Sequence, residues 1–358
     1  MKKIIAAFCI SSVAFAQIPT GYYNTATGTG YTLKTQLHNI IDNNTNSSGT
    51  ASYGDLWDLF TETQFRDTYY ENDGSLLDLY SEKPTGADSY NFTNTSQQCG
   101  NYSSEGDCYN REHIMPQSVF NSNYPMYSDA HFVLPSDGKV NGQRGNLPFG
   151  KVGTANWTST NGSKRGTNLN SGYSAGYTSD VFEPIDEFKG DVARALFYFA
   201  TRYEDQITSW SYAMFNGTST QVYTDTFKNI LLTWHQLDPV SAYEIAKNNK
   251  VYTFQNNRNP FIDHPEYITT IWGSPLSTED IYANFSVRLY PNPIKNQQFS
   301  LVSNYKIDAV LIYNINGQVV QKITNPFETI TLNNLPAGFY FVNITAENLQ
   351  TVKKIVVE

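Results

Sequence analysis

Three cysteines in 358 residues are too few for a disulfide-built scaffold. Charge is scarce too: charged residues make up 16% of the chain, and 24 Lys and Arg are outnumbered by 33 Asp and Glu. The resulting net charge of −9 excludes nucleic-acid binding driven by overall charge. A polyanion site would need a local basic patch or a bound cation. No stretch beyond the N-terminus reaches the ~18 apolar residues of a membrane span, so stable membrane insertion is not expected. What the chain does have is 40% hydrophobic residues, 26 Tyr, and much Asn, Ser, Thr and Gly. This is the texture of a secreted protein rich in strands and loops, and the length suggests about two domains.

The first residues form a leader: Met1-Lys2-Lys3, an apolar run from Ile4 to Ile10, and Ala14-Phe15-Ala16 as an A-x-A-like cleavage site. Residues 1–16 are therefore read as an export signal, and the mature protein as secreted. Removing them removes Cys9 and leaves Cys99 and Cys108, which predict a disulfide in an exported chain; two free thiols are the alternative.

Helical spacing marks Leu33–Ile41, and Leu76–Tyr80 reads as a strand entering the core. Residues 151–178 read as a long surface loop. From His131 to Gly176, Lys139, Arg144, Lys151, Lys164 and Arg165 stand against Asp137 alone, so five minus one leaves a local +4. Gly190–Tyr203 is the clearest helix, a core helix with Asp191 as its N-cap. Further helices are expected near 226–237 and 240–248, followed by a proline-framed loop from Asn257 to Glu266. In that loop Asp263 and His264 are read as locking the backbone, not as an acid–base pair. From about 285 short alternating runs recur roughly every ten residues, with Asn316-Gly317 as a two-residue hairpin turn, which predicts a small antiparallel sandwich.

The chemistry concentrates in Asn110-Arg111-Glu112-His113-Ile114-Met115-Pro116, then Asp129-Ala130-His131, then Val140-Asn141-Gly142-Gln143-Arg144-Gly145-Asn146. Hydrolysis of a phosphodiester needs an activated water and charge relief at phosphorus and at the leaving oxygen. A neutral His113 can take the water's proton, while Glu112 and the amide oxygen of Asn141 suit a hard cation such as Mg²⁺. Arg144, three residues after Asn141, would share its helical face and grip a phosphate. Adjacent strand residues point to opposite faces, so Glu112 and His113 can serve one site only if the strand bends or ends there.

These segments, with Gly190-Asp191-Val192-Ala193-Arg194 and Asn257-Arg258-Asn259-Pro260-Phe261-Ile262-Asp263, resemble the bacterial endonuclease I family in order across residues 110–265. The resemblance implies an α+β protein: a mixed α/β nuclease domain over residues 17–284 containing a ββα-metal (His-Me finger) motif. It also implies His113 as general base, Glu112 and Asn141 as Mg²⁺ ligands (Mn²⁺ or Ca²⁺ as substitutes), and Arg144 near the phosphate. The substrate implied is DNA, and often RNA, cleaved with little sequence preference to leave 5′-phosphate ends. Two features depart from the family pattern: Phe132 stands where relatives commonly carry a polar residue, and the segment between His113 and Asp129 lacks extra basic residues.

Residues 285–358, with Tyr290-Pro291-Asn292-Pro293, Ala337-Gly338-Phe339-Tyr340 and Lys353-Lys354-Ile355-Val356-Val357, resemble the sorting domain of the type IX secretion system. That implies the type IX machinery as a partner. The alternatives are an extracellular ribonuclease using the same site and a secreted adhesin or glycan-binding protein in which Glu112 and His113 are structural.

Overall fold

The computed structural model describes residues 18–45, 52–273, 287–303, 305–316, 318–323, 326–346 and 349–358. The expected export leader, residues 1–16, lies outside the described residues. The chain divides into two compact units, residues 1–168 with 179–275, and residues 169–178 with 276–358. The first mixes helix and sheet; the regular structure among the described residues of the second is β-strand apart from a 3-10 turn at Gly172–Ser174.

The first unit begins with α1 (Gly30–Asn44) and the short α2 (Asp55–Leu59). Strands β1 (Tyr109–His113) and β2 (Val133–Asp137) pair antiparallel with Glu112 opposite Leu134 and His113 opposite Val133. Helix α3 (Gly138–Arg144) follows β2 directly, because Asp137 caps it by accepting the Val140 N–H at 2.8 Å. It stops at Gly145, whose φ of +54° favours glycine. Then come β3 (Val152–Thr158), β4 (Lys164–Asn168) and β5 (Asp180–Glu183) in a three-stranded sheet with β4 central.

This hairpin corrects the reading of 151–178 as a loop. Its edge strand β3 is mostly polar and exposed and is interrupted by register shifts at Val152/Thr154 and Ala155/Trp157, so no clean alternation survives in the sequence. Gly166 is required there, since a Cβ would stand 2.1 Å from the Thr154 carbonyl oxygen. Leu76–Tyr80 is likewise not a strand: Leu76 makes one bridge with Arg66. The segment then turns on Asp78, whose carboxylate accepts from the Tyr80 N–H at 2.9 Å and the Ser81 hydroxyl at 2.8 Å. A side chain that satisfies its own neighbours competes with the ladder.

Helix α4 (Lys189–Arg202) is buried on every face and packs against α1 and against α5 (Asp225–Leu237). Its charged residues have specific partners. Arg194 donates to Glu244 at 2.6 and 2.7 Å, and Lys189 pairs with Glu183 at 2.6 Å. Asp191 is not the N-cap: the helix starts at Lys189, and the capping carboxylate is Asp238, 48 residues away, which accepts the Gly190 N–H at 2.7 Å. Helix α6 (Ala242–Gln255) opens on a capping box between Ser241 and Glu244, one turn beyond Asp238-Pro239. The proline-framed loop contains α7 (Pro260–Asp263), and α8 (Glu266–Trp272) follows it. Asp263 is held by Arg258 at 2.6 Å and by the Tyr23 hydroxyl at 2.7 Å, which agrees with a locking role.

The second unit has two antiparallel sheets over one apolar core that includes Ile294, Val310, Ile312, Val342 and Ile355. One sheet joins β6 (Val287–Tyr290), β7 (Gln298–Ser303) and β10 (Thr329–Thr331). The other joins β8 (Ala309–Tyr313), β9 (Val319–Ile323), β11 (Gly338–Ala346) and β12 (Leu349–Val357). The β8–β9 connection is longer than a two-residue turn: it closes with the Asn314 N–H on the Gln318 carbonyl at 3.0 Å, and Gly317 lies outside the described residues.

Candidate active site

Strand β1 ends at His113, and the chain bends at Ile114 and Met115. That break lets Glu112 and His113 both line one cleft of about 370 Å³, together with Asn141 and Arg144. Residues separated by about thirty positions meet because the β1–β2 pairing brings α3 back beside the end of β1. The same cleft is lined by Tyr53, Asn110, Arg111 and Cys99. Cys99 and Cys108 form a disulfide with their Cα atoms 5.7 Å apart, tying the segment before β1 to β1's approach.

His113 is 4% exposed, and its Nε2 lies 3.1 Å from the Tyr127 carbonyl oxygen. A carbonyl only accepts, so Nε2 carries the proton and Nδ1 keeps its lone pair. Burial pushes the imidazole down to about 4, so it is neutral at physiological pH. Tyr127 stacks on the ring at 5.5 Å and Tyr53 at 5.7 Å, which fixes its plane.

Glu112 is buried, and its Oε1 accepts from the Tyr80 hydroxyl at 3.0 Å and faces Arg144 Nη1 at 3.2 Å. No side chain donates to Oε2 among the described residues, while the His113 backbone N–H also favours the ionised carboxyl. Burial pushes the carboxyl up to about 7, opposed chiefly by the Arg144 guanidinium. Asn141 donates its amide to Asn110 Oδ1 at 2.7 Å and to the Arg111 carbonyl at 3.4 Å, which leaves its own Oδ1 without a donor among the described residues. Two free oxygens and no sulfur make a donor set for a hard cation that keeps several waters.

Arg144 lines the cleft with Asn141, as a largely buried side chain. It is 1% exposed, donates to the His113 carbonyl at 2.7 Å and to the Ile114 carbonyl, and backs Glu112. Both terminal nitrogens thus take part in holding the strand end, while Nε has no partner among the described residues. Arg111 is the other cation lining the cleft, stacked 3.4 Å from the Tyr53 ring centroid and 4.2 Å from that of Trp57. The local +4 is also partly consumed, since Lys151 pairs with Glu183 at 3.2 Å.

Asp129 and His131 lie elsewhere and act in packing. Asp129 accepts from Arg202, from the Tyr203 hydroxyl at 2.7 Å and from Gln255 at 2.7 Å, and His131 Nε2 meets Asn257 at 3.0 Å. Phe132 is fully buried against Phe199, 5.1 Å between ring centroids, so an apolar residue fits there. Sequence reasoning missed Tyr80 and Tyr127, which hold Glu112 and His113. Neither belongs to a spacing pattern, and Tyr127 acts through its backbone.

This geometry and the comparisons define the class: the protein is a secreted nuclease, a hydrolase acting on nucleic acid. More particularly, the chain belongs to the Endonuclease I family, whose family model matches residues 29–266. An extracellular ribonuclease of Bacillus amyloliquefaciens is 34% identical over 257 residues, 70% of this chain and 78% of that protein. One from Bacillus subtilis is 35% identical over 258 residues, with the same coverage of 70% and 78%. Residues 288–358 match the secretion system C-terminal sorting domain, so the chain carries a type IX sorting domain. A solved chain of PorZ, a type IX surface component of Porphyromonas gingivalis, is 16% identical, covers 25% of this chain and 13% of its own, and has a TM-score of 0.19. No helix among the described residues is long and apolar enough to cross a membrane.

Proposed function

We propose that the cleft at the end of β1 hydrolyses phosphodiester bonds of DNA and RNA without sequence preference, leaving 5′-phosphate ends, with Mg²⁺ held by Glu112 and Asn141. The observation that carries this is the tautomer of His113: Nε2–H is fixed on Tyr127, so Nδ1 is a free base in the cleft that also presents Glu112 Oε2 and Asn141 Oδ1. The strand–strand–helix order of β1, β2 and α3 supports a ββα-metal (His-Me finger) site. Mn²⁺ and Ca²⁺ would be poorer substitutes for Mg²⁺. When bound, the cation supplies positive charge to the scissile phosphate and to the departing 3′ oxygen.

His113 Nδ1 takes a proton from the attacking water, and the Tyr127 carbonyl stabilises the imidazolium that results. Tyr80 and Arg144 orient Glu112 and oppose the protonation that its burial favours, and a bound cation would complete its ionisation. Arg144 therefore acts as a positioning residue, and Arg111 presents the cleft's second positive charge to the phosphate. The water as nucleophile makes the 2′-hydroxyl unnecessary, and phosphate contacts carry no sugar preference, so both nucleic acids are substrates. We place the boundary between nuclease and sorting domains at 284/285, with the type IX machinery as the partner of the latter. Plasmid DNA and structured RNA, each with and without EDTA, test the assignment. Cleavage of both should stop on chelation and yield 5′-phosphate termini; cleavage of RNA alone to 2′,3′-cyclic phosphate ends would overturn it.

A further inference from the structure

A second group of carboxylates lies outside the cleft, on the segment that precedes the disulfide. Two overlapping triads, Asp67 with Glu71 and Asp73, and Glu71 with Glu82 and Asp88, each bring their oxygens within 4.8 Å of one another. The first triad is already satisfied by protein. Asp67 accepts from the backbone N–H groups of Tyr69, Tyr70, Asn72 and Asp73, and Asp73 from the Ser75 N–H and the Asn91 amide. The second is not. Glu82 is 0% exposed, and no donor reaches either of its carboxylate oxygens. Both oxygens of Glu71 are equally shielded from water and without a donor. No Lys or Arg pairs with Glu71, Glu82 or Asp88 among the described residues. Lys83, next in sequence, donates to the Ser89 hydroxyl at 2.5 Å.

Buried carboxylates without donor or cation are costly. Without a cation they must hold protons: burial first, then the adjoining Glu71 and Asp88 carboxyls, push Glu82 up to about 10, and burial also pushes Asp88 up to about 7. A surface cleft of about 440 Å³ lined by Glu71, Asp73 and Asp88 gives access from solvent.

We propose that Glu71, Glu82 and Asp88 form a structural Ca²⁺ site separate from the catalytic cleft. The donors are oxygens only, as a hard cation requires, and all lie within 4.8 Å of one another, no farther apart than the roughly 5 Å that spans a Ca²⁺ shell. The site lies on a loop with room for water, which suits the flexible coordination of Ca²⁺ better than the strict octahedron of Mg²⁺. A secreted protein meets Ca²⁺ at the millimolar levels that extracellular sites use. The cation would staple Glu71 to the turn that carries Tyr80, two residues before Glu82, and Tyr80 holds Glu112.

The test uses the full chain with Glu112→Gln, which silences the catalytic metal site. Millimolar Ca²⁺ in place of EDTA should raise Tm by about 5 °C, with one Ca²⁺ bound per chain by equilibrium dialysis. Adding Glu82→Gln should abolish both effects and, in EDTA, melt no lower than its parent, because a buried unpaired carboxyl has been removed. Three results would each overturn the proposal: no Ca²⁺ binding or Tm rise in the Glu112→Gln chain, retention of both after Glu82→Gln, or an equal rise with Mg²⁺. If Glu82→Gln fails to fold, dialysis and melting of the Glu112→Gln chain with Ca²⁺ and with Mg²⁺ still decide.

Discussion

Replacing Tyr80 with Phe isolates what holds Glu112, the proposed metal carboxylate, in place. The phenol is 1% exposed and donates to Glu112 Oε1 at 3.0 Å, and Phe fills the same space without the donor. A hydrogen bond to a buried carboxylate contributes roughly 1.5–3 kcal/mol. Arg144 Nη1, 3.2 Å from the same oxygen, retains part of that orientation, so the lower figure applies. At about 1.4 kcal/mol per tenfold change, the variant should need roughly ten times more Mg²⁺ for half-maximal cleavage, within the range expected when a metal ligand loses its supporting hydrogen bond. His113 is untouched, so the rate at saturating Mg²⁺ should stay near that of the parent. The assay is initial rate of plasmid cleavage against free Mg²⁺ at pH 7.5, with thermal melting in parallel. An unchanged Mg²⁺ dependence, or a rate loss that saturating Mg²⁺ does not restore, would refute the role given to Tyr80.

His113→Ala should lower turnover by at least about 100-fold, the usual contribution of a general base, while Mg²⁺ and DNA binding measured without turnover remain; near-normal cleavage would remove His113 from its role. Replacing Cys99 and Cys108 together by Ser opens a short loop and should cost about 2.5 kcal/mol of stability, seen as a lower Tm under oxidising conditions. Buried His131 sits at about 4, below its ordinary value near 6.5, so the folded state binds fewer protons than the unfolded state between those values. Its contribution is full above pH 6.5 and is lost as pH falls toward 4, amounting to about 3 kcal/mol. His113 and His235 shift the same way, also to about 4, whereas Glu112 and Asp88, raised to about 7 by burial, act in the opposite direction, so the His131 part is read as the Tm difference between the parent and His131→Gln across that window, and a constant difference would contradict the burial.

Some of this protein was written locally. The export class, the paired cysteines, the core helix read from Gly190 and the alternating strands after 285 each follow from short-range composition or period, which a linear sequence carries in full. Glu112, His113 and Asn141 were legible as candidates because phosphodiester chemistry calls for those types and the motif places them in order, and the fold brings them to one cleft. Other features depended on distance. The cap of α4 is Asp238, not Asp191, because a carboxylate 48 residues away reaches the Gly190 amide first. The polar β3–β4 hairpin exists because Gly166 lets two backbones touch across a bulge, and Arg144 turned inward because Glu112 lay buried beside it. The supports of the site, Tyr80 on Glu112 and the Tyr127 carbonyl on His113, are bonds between segments that share no motif. Sequence determined which groups could do the chemistry; only the packed chain, by burying them, decided which proton each holds and which neighbour holds it still.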